Sequence, residues 1–360
     1  MPNAFDPVSR YLMAAVIIVG FQHHTVKFET FLKGTICGAF IGFVIYILYA
    51  KFYLDAPRLR IDVFGLIGMF TLSLSYISLA LFSISIIAFI YFIKEKRYAL
   101  TIFSLLAANS TSYIILESGG RGALAGVFVL SVILALYLLI KKQFSFLLPA
   151  LSPLIITLFL MFGSMTFSNT DTVVTASTPS AATVDNKPAV MARFAQEKNI
   201  FDYTPGHAYS SMTIRFEYWR SSFYQFLHSP VFGLGYIQRL EFHNKLAAEG
   251  IIAESMKNNR KNFSGHNEFF HIIGTKGLVG LAFILALYFV PLNFFRKQLK
   301  FSDARHYIGL AGIFMILSFM ICGLTETQLM KHKTIVLYTL FTFFLYKSAL
   351  TIKDNTVIKL

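Results

Sequence analysis

An all-α, polytopic transmembrane helical bundle is the fold class this sequence predicts, and three observations predict it. Of 360 residues, 56% are hydrophobic and only 14% charged, against about 25% charged in an ordinary soluble domain. Several apolar runs approach or exceed the roughly 18 residues needed to cross a bilayer. Basic clusters sit in the short stretches between those runs, as in membrane proteins. A soluble enzyme, a disordered chain and a disulfide scaffold are excluded on the same grounds. The net charge of +14, from 32 Lys+Arg against 18 Asp+Glu, matches basic loops facing anionic headgroups. No aromatic-basic motif or zinc spacing indicates nucleic acid. Cys37 and Cys322 lie inside apolar runs and read as small packing residues.

In chain order, residues 11–22 are apolar but short for a full span, and no small-x-small cleavage site follows them. Phe31–Ala50 is a better segment. Asp62–Ile93 is long enough for one tilted helix or a tight pair of short ones. Tyr98–Leu116, Gly122–Ile140 and Phe144–Phe167 come next. After a long polar interval follow Glu268–Pro291, Tyr307–Leu324 and Thr334–Leu350. The expected total is nine or ten spans. They divide the chain into N-terminal transmembrane helices (1–167), a large loop subdomain (168–265), C-terminal transmembrane helices (266–350) and a tail (351–360).

Orientation follows from the basic residues of the short loops. Lys94-Glu95-Lys96-Arg97, Lys141-Lys142 and Arg296-Lys297…Lys300…Arg305 are separated by even numbers of crossings, so they share one side, assigned to the cytoplasm with the tail. The interval from Ser168 to Gly265 then faces outward, with a nearly balanced 10 basic and 8 acidic residues. Lys51…Arg58…Arg60 dissents, landing outside if Asp62–Ile93 is a single span; the N-terminus is then outside too, as it would be if leading spans were missing. Within the interval, Thr170–Ala182 reads as a flexible lead-in. Ile214, Tyr218, Phe223, Phe226 and Leu227 recur at helical spacing, Ser229-Pro230 breaks the pattern, and Gly233-Leu-Gly235 turns the chain. A small, mostly helical exterior subdomain is expected, since loops this long usually carry function.

Three places combine charge with an unusual position. Ser118-Gly119-Gly120-Arg121-Gly122-Ala123 lies between two spans, where an arginine near the hydrocarbon edge needs a partner or an aqueous cavity; it also describes a tight turn with a snorkelling arginine. Ile214-Arg215-Phe216-Glu217-Tyr218-Trp219-Arg220 joins the single Trp of the chain to two arginines, whose planar forks suit phosphate. The same pattern fits an amphipathic interfacial helix with an aromatic anchor. Ser264-Gly265-His266-Asn267-Glu268 opens a helix, with Asn267 as N-cap and Glu268 in its first turn. His266 then stands just off a helix N-terminus, where the dipole favours the neutral imidazole that a general base requires; a capping histidine at the interface is the plainer reading. His266 and His271 are five apart and do not share a helix face as metal ligands would, no Asp-x-Asp is present, and neither metal nor cofactor is expected. His23, His24, His207, His228, His243, His306 and His332 have no motif around them and read as ordinary surface or interface. Two arginines and one histidine on one membrane face are the minimal equipment for metal-free glycosyl transfer from a polyprenyl diphosphate.

Ser118-Gly-Gly-Arg121-Gly-Ala resembles the Ser-Arg-Gly-Ala turn of the O-antigen ligase/polymerase superfamily. Arg215-Phe-Glu-Tyr-Trp219, followed by Ser229-Pro-Val-Phe-Gly-Leu-Gly235, is similar to its Arg-x-x-x-Trp…Pro-x-x-Gly-x-Gly stretch. His266-Asn267-Glu-Phe-Phe…Lys276-Gly277-Leu-Val-Gly280 resembles its His-Asn-x-(apolar)2…Gly-(apolar)2-Gly ending. The likeness covers about Tyr98–Leu350; the family has about twelve spans, and missing leading spans are the expected reason for the shortfall. The resemblance implies an inverting, metal-independent transferase in the bacterial inner membrane with a periplasmic active site. Its donor is an undecaprenyl-diphosphate-linked O-antigen and its acceptor a hydroxyl of lipid A–core. In that frame His266 is the catalytic base, Arg121 and Arg215 hold the donor diphosphate, and Arg220, Glu326, Asn267, Arg58 and Arg60 are supporting candidates. An O-antigen polymerase and a protein O-oligosaccharyltransferase are the alternatives within the class. A non-catalytic transporter, with Arg121 lining a solute path, is the alternative outside it, and the clustering of charge on one face speaks against it.

Overall fold

The computed structural model describes residues 18–53, 71–167, 203–257 apart from 209, and 265–352, with a few positions between 12 and 16. Arg58, Arg60, Ser264, Thr170–Ala182 and the tail lysines lie outside the described residues. Ten α-helices have both ends among the described residues: α1 Phe28–Tyr53, α2 Thr71–Lys94, α3 Tyr98–Ser118, α4 Arg121–Ile140, α5 Leu147–Phe167, α6 Ser211–His228, α7 Gly235–Ala248, α8 Glu268–Gln298, α9 Ala304–Gly323 and α10 His332–Thr351. Eight of them, all but α6 and α7, are long and apolar enough to cross a membrane. No strand occurs among the described residues. The protein is a polytopic helical bundle. Eight stands against the nine or ten spans expected: the described part of Asp62–Ile93 is one helix, and residues 11–22 are described only in part.

The chain divides into two compact units. The first comprises Thr25–Arg193, Gln298–Ser318 and Phe344–Leu360. Its centre is α2, 78% of whose membrane window is buried, against 17% for the peripheral α5. Small residues permit this, because in lipid close backbone approach replaces the hydrophobic drive between helices. Ser75, Ser78, Ser83 and Ser85 of α2 are buried. The Ser75 and Ser118 hydroxyls hydrogen-bond at 2.6 Å, and a Cβ on Gly120 would stand 2.4 Å from Ser75 Oγ. At Gly126 of α4 a Cβ would stand 2.3 Å from a Leu79 methyl. Gly119, at φ 67°, ends α3 in the left-handed conformation and starts the turn that places Arg121 at the head of α4. His306 does more than the sequence suggested: its Nε2 meets the Tyr137 hydroxyl at 2.6 Å and its Nδ1 the Leu299 carbonyl at 2.9 Å.

The second unit comprises Met1–His24, Phe194–Lys297 and Phe319–Phe343. Here α6 and α7 enclose a small apolar core of Tyr218, Leu246, Ala247, Ile252, Ala253 and Met256. A break divides α8 at Gly277, whose φ 59° and ψ −154° belong to no helix and are open essentially to glycine alone. The amides that the break strips of helical partners are recovered from outside. Leu278 N–H donates to Pro230 C=O at 2.8 Å and Val279 N–H to Val231 C=O at 3.1 Å, while Gly274 C=O accepts from Leu234 N–H at 3.3 Å. Interrupted helices persist in membrane proteins on this condition, that protein groups satisfy the freed backbone. Two glycines make the contact possible: a Cβ at Gly277 would lie 2.4 Å from Val231 O, and one at Gly233 2.3 Å from Lys276 N.

Candidate active site

The candidate site is built in the second unit, on the inward face of α6 and the loops around it. Ser210 caps α6 through a reciprocal pair with Thr213. The residues that α6 then buries are mainly polar: Thr213, Glu217, Ser221, Ser222 and Gln225, with Tyr218 among them. Glu217 accepts from the Tyr203 hydroxyl, from Gly206 N–H at 3.0 Å and from Ala253 N–H at 2.7 Å, so one buried carboxylate pins the chain before α6 and after α7.

Ser221 and Gln225 open a chain of buried hydrogen bonds whose directions are set at both ends. Met256 C=O can only accept, so His243 donates to it from Nε2 at 3.3 Å and receives Ser221 O–H at Nδ1 at 2.7 Å. Gln225 donates to Ser221 Oγ at 2.8 Å and accepts from Arg239 Nε–H at 2.8 Å. Arg239, only 1% exposed, donates again to His271 Nδ1 at 3.1 Å, and Gly265 N–H donates to the same nitrogen at 3.3 Å. The chain therefore ends on the residue beside His266. Burial holds the His243 imidazole down to about 4, against the pull of the Met256 carbonyl and with the Arg239 charge adding to the effect. His243, read from the sequence as ordinary surface or interface, is fully buried. Arg239, His243 and His271 were all missed as candidates. The sequence signal for the first two is the spacing Arg239-x3-His243, which matches Ser221-x3-Gln225 on the facing helix.

His266 adopts φ 42°, a left-handed conformation uncommon for a residue with a Cβ. Asn267 follows as N-cap, its Oδ1 accepting from Phe269 N–H at 3.0 Å and Phe270 N–H at 3.1 Å, while its Nδ2 donates to Leu324 C=O at 2.9 Å. Glu268 turns into the core and accepts from the Tyr288 hydroxyl and Leu329 N–H, both at 2.7 Å. These bonds tie the start of α8 to the α9–α10 turn, and that turn supplies the carboxylate that meets His266: Glu326 Oε2 lies 3.1 Å from His266 Nδ1. The His266 side chain is 24% exposed and that of Glu326 4%. Burial alone would raise the Glu326 carboxyl; the His266 hydrogen bond, the Lys331 and His266 charges and the Thr327 amide outweigh it and bring it down to about 2.

The aromatic residues of α6 frame this pair. The Tyr218 ring stands between the His243 and His266 rings, with both centroids 5.9 Å away. Trp219 stacks on Phe270 at 5.5 Å and an interplanar angle of 6°. Arg215 lies one turn ahead of Tyr218 and Trp219. Arg220 is turned toward the Tyr224 ring at 5.9 Å. The structure thus brings His266 and Glu326 into direct contact, ties Asn267 to the Leu324 carbonyl of the same turn, and sets Arg215 one helical turn from the ring against His266. Arg121 belongs to the other unit. Among the described residues no group of three His, Cys, Asp or Glu side chains is placed to share a metal ion.

Eight helices long and apolar enough to cross a membrane define a multi-pass membrane protein. The chain belongs to the O-antigen ligase family, whose model matches residues 103–285, just over half of its length. It is also similar to an uncharacterized protein of Haemophilus influenzae, 23% identical over 337 residues that cover 92% of this chain and 76% of the other. Membership makes this a bacterial membrane protein of the ligase/polymerase group.

Proposed function

We propose that the protein is an O-antigen ligase of the inner membrane. It transfers O-antigen from undecaprenyl diphosphate to a hydroxyl of lipid A–core at a site facing the periplasm, to which residues 168–265 belong. The observation that carries this reading is the His266–Glu326 pair. A buried carboxylate on Nδ1 fixes the tautomer with the proton on Nδ1 and leaves the Nε2 lone pair to act as base, the same division of labour as in a carboxylate–imidazole hydrolase site. In the proposed step the acceptor oxygen attacks the anomeric carbon, its proton passes to His266 Nε2, and the bond from that carbon to the diphosphate oxygen breaks with inversion. Glu326 stabilises the imidazolium so formed. Arg215 holds the diphosphate and offsets the charge it gains on leaving, with Arg220 near by on α6; Arg121, which belongs to the other unit, enters this reading from its sequence motif alone. No step requires a metal or cofactor.

The lipopolysaccharide ladder of a deletion strain tests the assignment. Loss of the ligase leaves complete core without O-antigen. A core carrying a single repeat would assign the polymerase reaction instead, and an unchanged ladder would remove the protein from this pathway.

A further inference from the structure

Helix α6 is built inside out. Its inward face carries Thr213, Glu217, Ser221 and Gln225, all buried, while the apolar stripe on the other side begins half-buried, with Phe216 against Tyr203 and Trp219 against Phe270, and ends exposed in Phe223 and Leu227. Phe223 is 47% exposed and Leu227 58%, and the loop that follows adds Val231 at 49% and Phe232 at 74%. Its partner α7 turns polar residues outward: Gln238, Glu241 and Lys245 are exposed, while Arg239, His243, Leu246 and Ala247 are buried. Both helices belong to the same unit, so one medium cannot suit both outward faces. An aqueous medium suits α7. An apolar medium suits α6, because removing apolar side chains from water is favourable.

The apolar stripe is continuous with a surface whose surroundings are known in kind. Val231 hydrogen-bonds through its backbone to Val279. Leu278, Val279 and Phe283, exposed at 50%, 53% and 54%, begin the outward face of the spanning part of α8. From this continuity and the reversed patterning we infer that the outward face of α6, with Val231 and Phe232, lies in the acyl-chain region of the adjoining bilayer leaflet. The helix is an in-plane membrane element, its long axis running along the interface as amphipathic monotopic helices do. Arg215, on the flank of the stripe, then stands at headgroup depth, where basic side chains on apolar stems come to rest. This lipid contact is independent of the transfer chemistry proposed above, and its test needs no substrate.

The test places tryptophan on each face in turn. The single native Trp is removed by Trp219→Phe, and either Leu227→Trp on α6 or Glu241→Trp on α7 is added; both positions are exposed, so folding is spared. The full-length protein is reconstituted into phosphatidylcholine–phosphatidylglycerol vesicles, with or without bromine on the acyl chains, and titrated with iodide. The expected result is loss of most of the Leu227→Trp emission in brominated vesicles with little iodide quenching, and the reverse for Glu241→Trp. Iodide quenching at position 227 like that at 241 would put the face in water and overturn the inference. Protection at position 227 from both quenchers would overturn it too, since the face would then be covered by another part of the chain or by a second copy.

Discussion

Replacing Glu326 by Gln keeps the shape of the side chain and removes its charge, which isolates what the carboxylate does for His266. The difference between an ordinary carboxyl at 4.5 and one near 2 corresponds to about 3 kcal/mol in favour of the anion, at about 1.4 kcal/mol for each tenfold. His266 and Lys331 share in that stabilisation. If most of the His266 share reappears as stabilisation of imidazolium in the transition state, its loss slows transfer by about 10²-fold, the lower end of the range for positioned proton transfer. Because the carboxyl titrates near 2, Glu326 remains ionised across the working pH range. Its contribution to folding is complete above about 4.5 and is lost as the pH falls from 4.5 toward 2. The assay is single-turnover transfer from a lipid-linked donor by protein purified into nanodiscs, with donor affinity measured separately. Glu326→Gln is expected to bind donor like the wild type and to lose kcat. A rate within about threefold of wild type, well inside the 10²-fold floor, would refute the orienting role, as would a loss confined to donor affinity.

Other substitutions reach the remaining parts. His266→Gln cannot take a proton near neutral pH, so it should bind the diphosphate donor and fail to transfer it by about 10²–10⁴-fold, with chelators leaving the wild type unaffected; equilibrium binding beside single-turnover rates decides. Arg215→Lys keeps the charge and loses the bidentate fork, so the lipopolysaccharide ladder should fade at equal membrane protein, and a full ladder would remove Arg215 from diphosphate binding. Gly277→Ala would set a Cβ 2.4 Å from Val231 O in a conformation closed to alanine; a cost of at least about 1–3 kcal/mol should appear as a lowered melting temperature in detergent and faster proteolysis around residues 229–235. His243 is buried neutral near 4 against an ordinary 6.5, so the unfolded chain binds the extra proton first. Stability should therefore fall by about 3 kcal/mol as pH drops from 6.5 to 4, and His243→Gln should flatten that slope in thermal unfolding.

The spans were legible because eighteen or more apolar residues in a row leave little choice of medium, and the helix N-cap at Asn267 because capping is local. The chain of bonds from Met256 through Arg239 to His271 was not legible, since its members come from separate segments and only folding aligns the i, i+4 pairs of α6 and α7. The direction of α6 was hidden for a different reason. Periodicity shows that one stripe is apolar and says nothing of which side it turns, and the inward face here is the polar one. Gly277 was visible as a motif glycine, yet the break it makes in α8 depends on carbonyls that arrive from residues 230 and 231.

That break has a mechanical meaning. A continuous rod from Glu268 to Gln298 would carry every change of tilt in its lipid-embedded length directly to His266 at its tip. Spanning helices do tilt to match the thickness of the bilayer they occupy. With the rod jointed at Gly277 and the joint clasped by the Pro230–Leu234 loop, the short segment bearing Asn267 and Glu268 takes its bearings from α6 and the α9–α10 turn. The place of Asn267 and Glu268 is thereby set by protein contacts on both sides of the joint rather than by the lipid-embedded length of α8 alone.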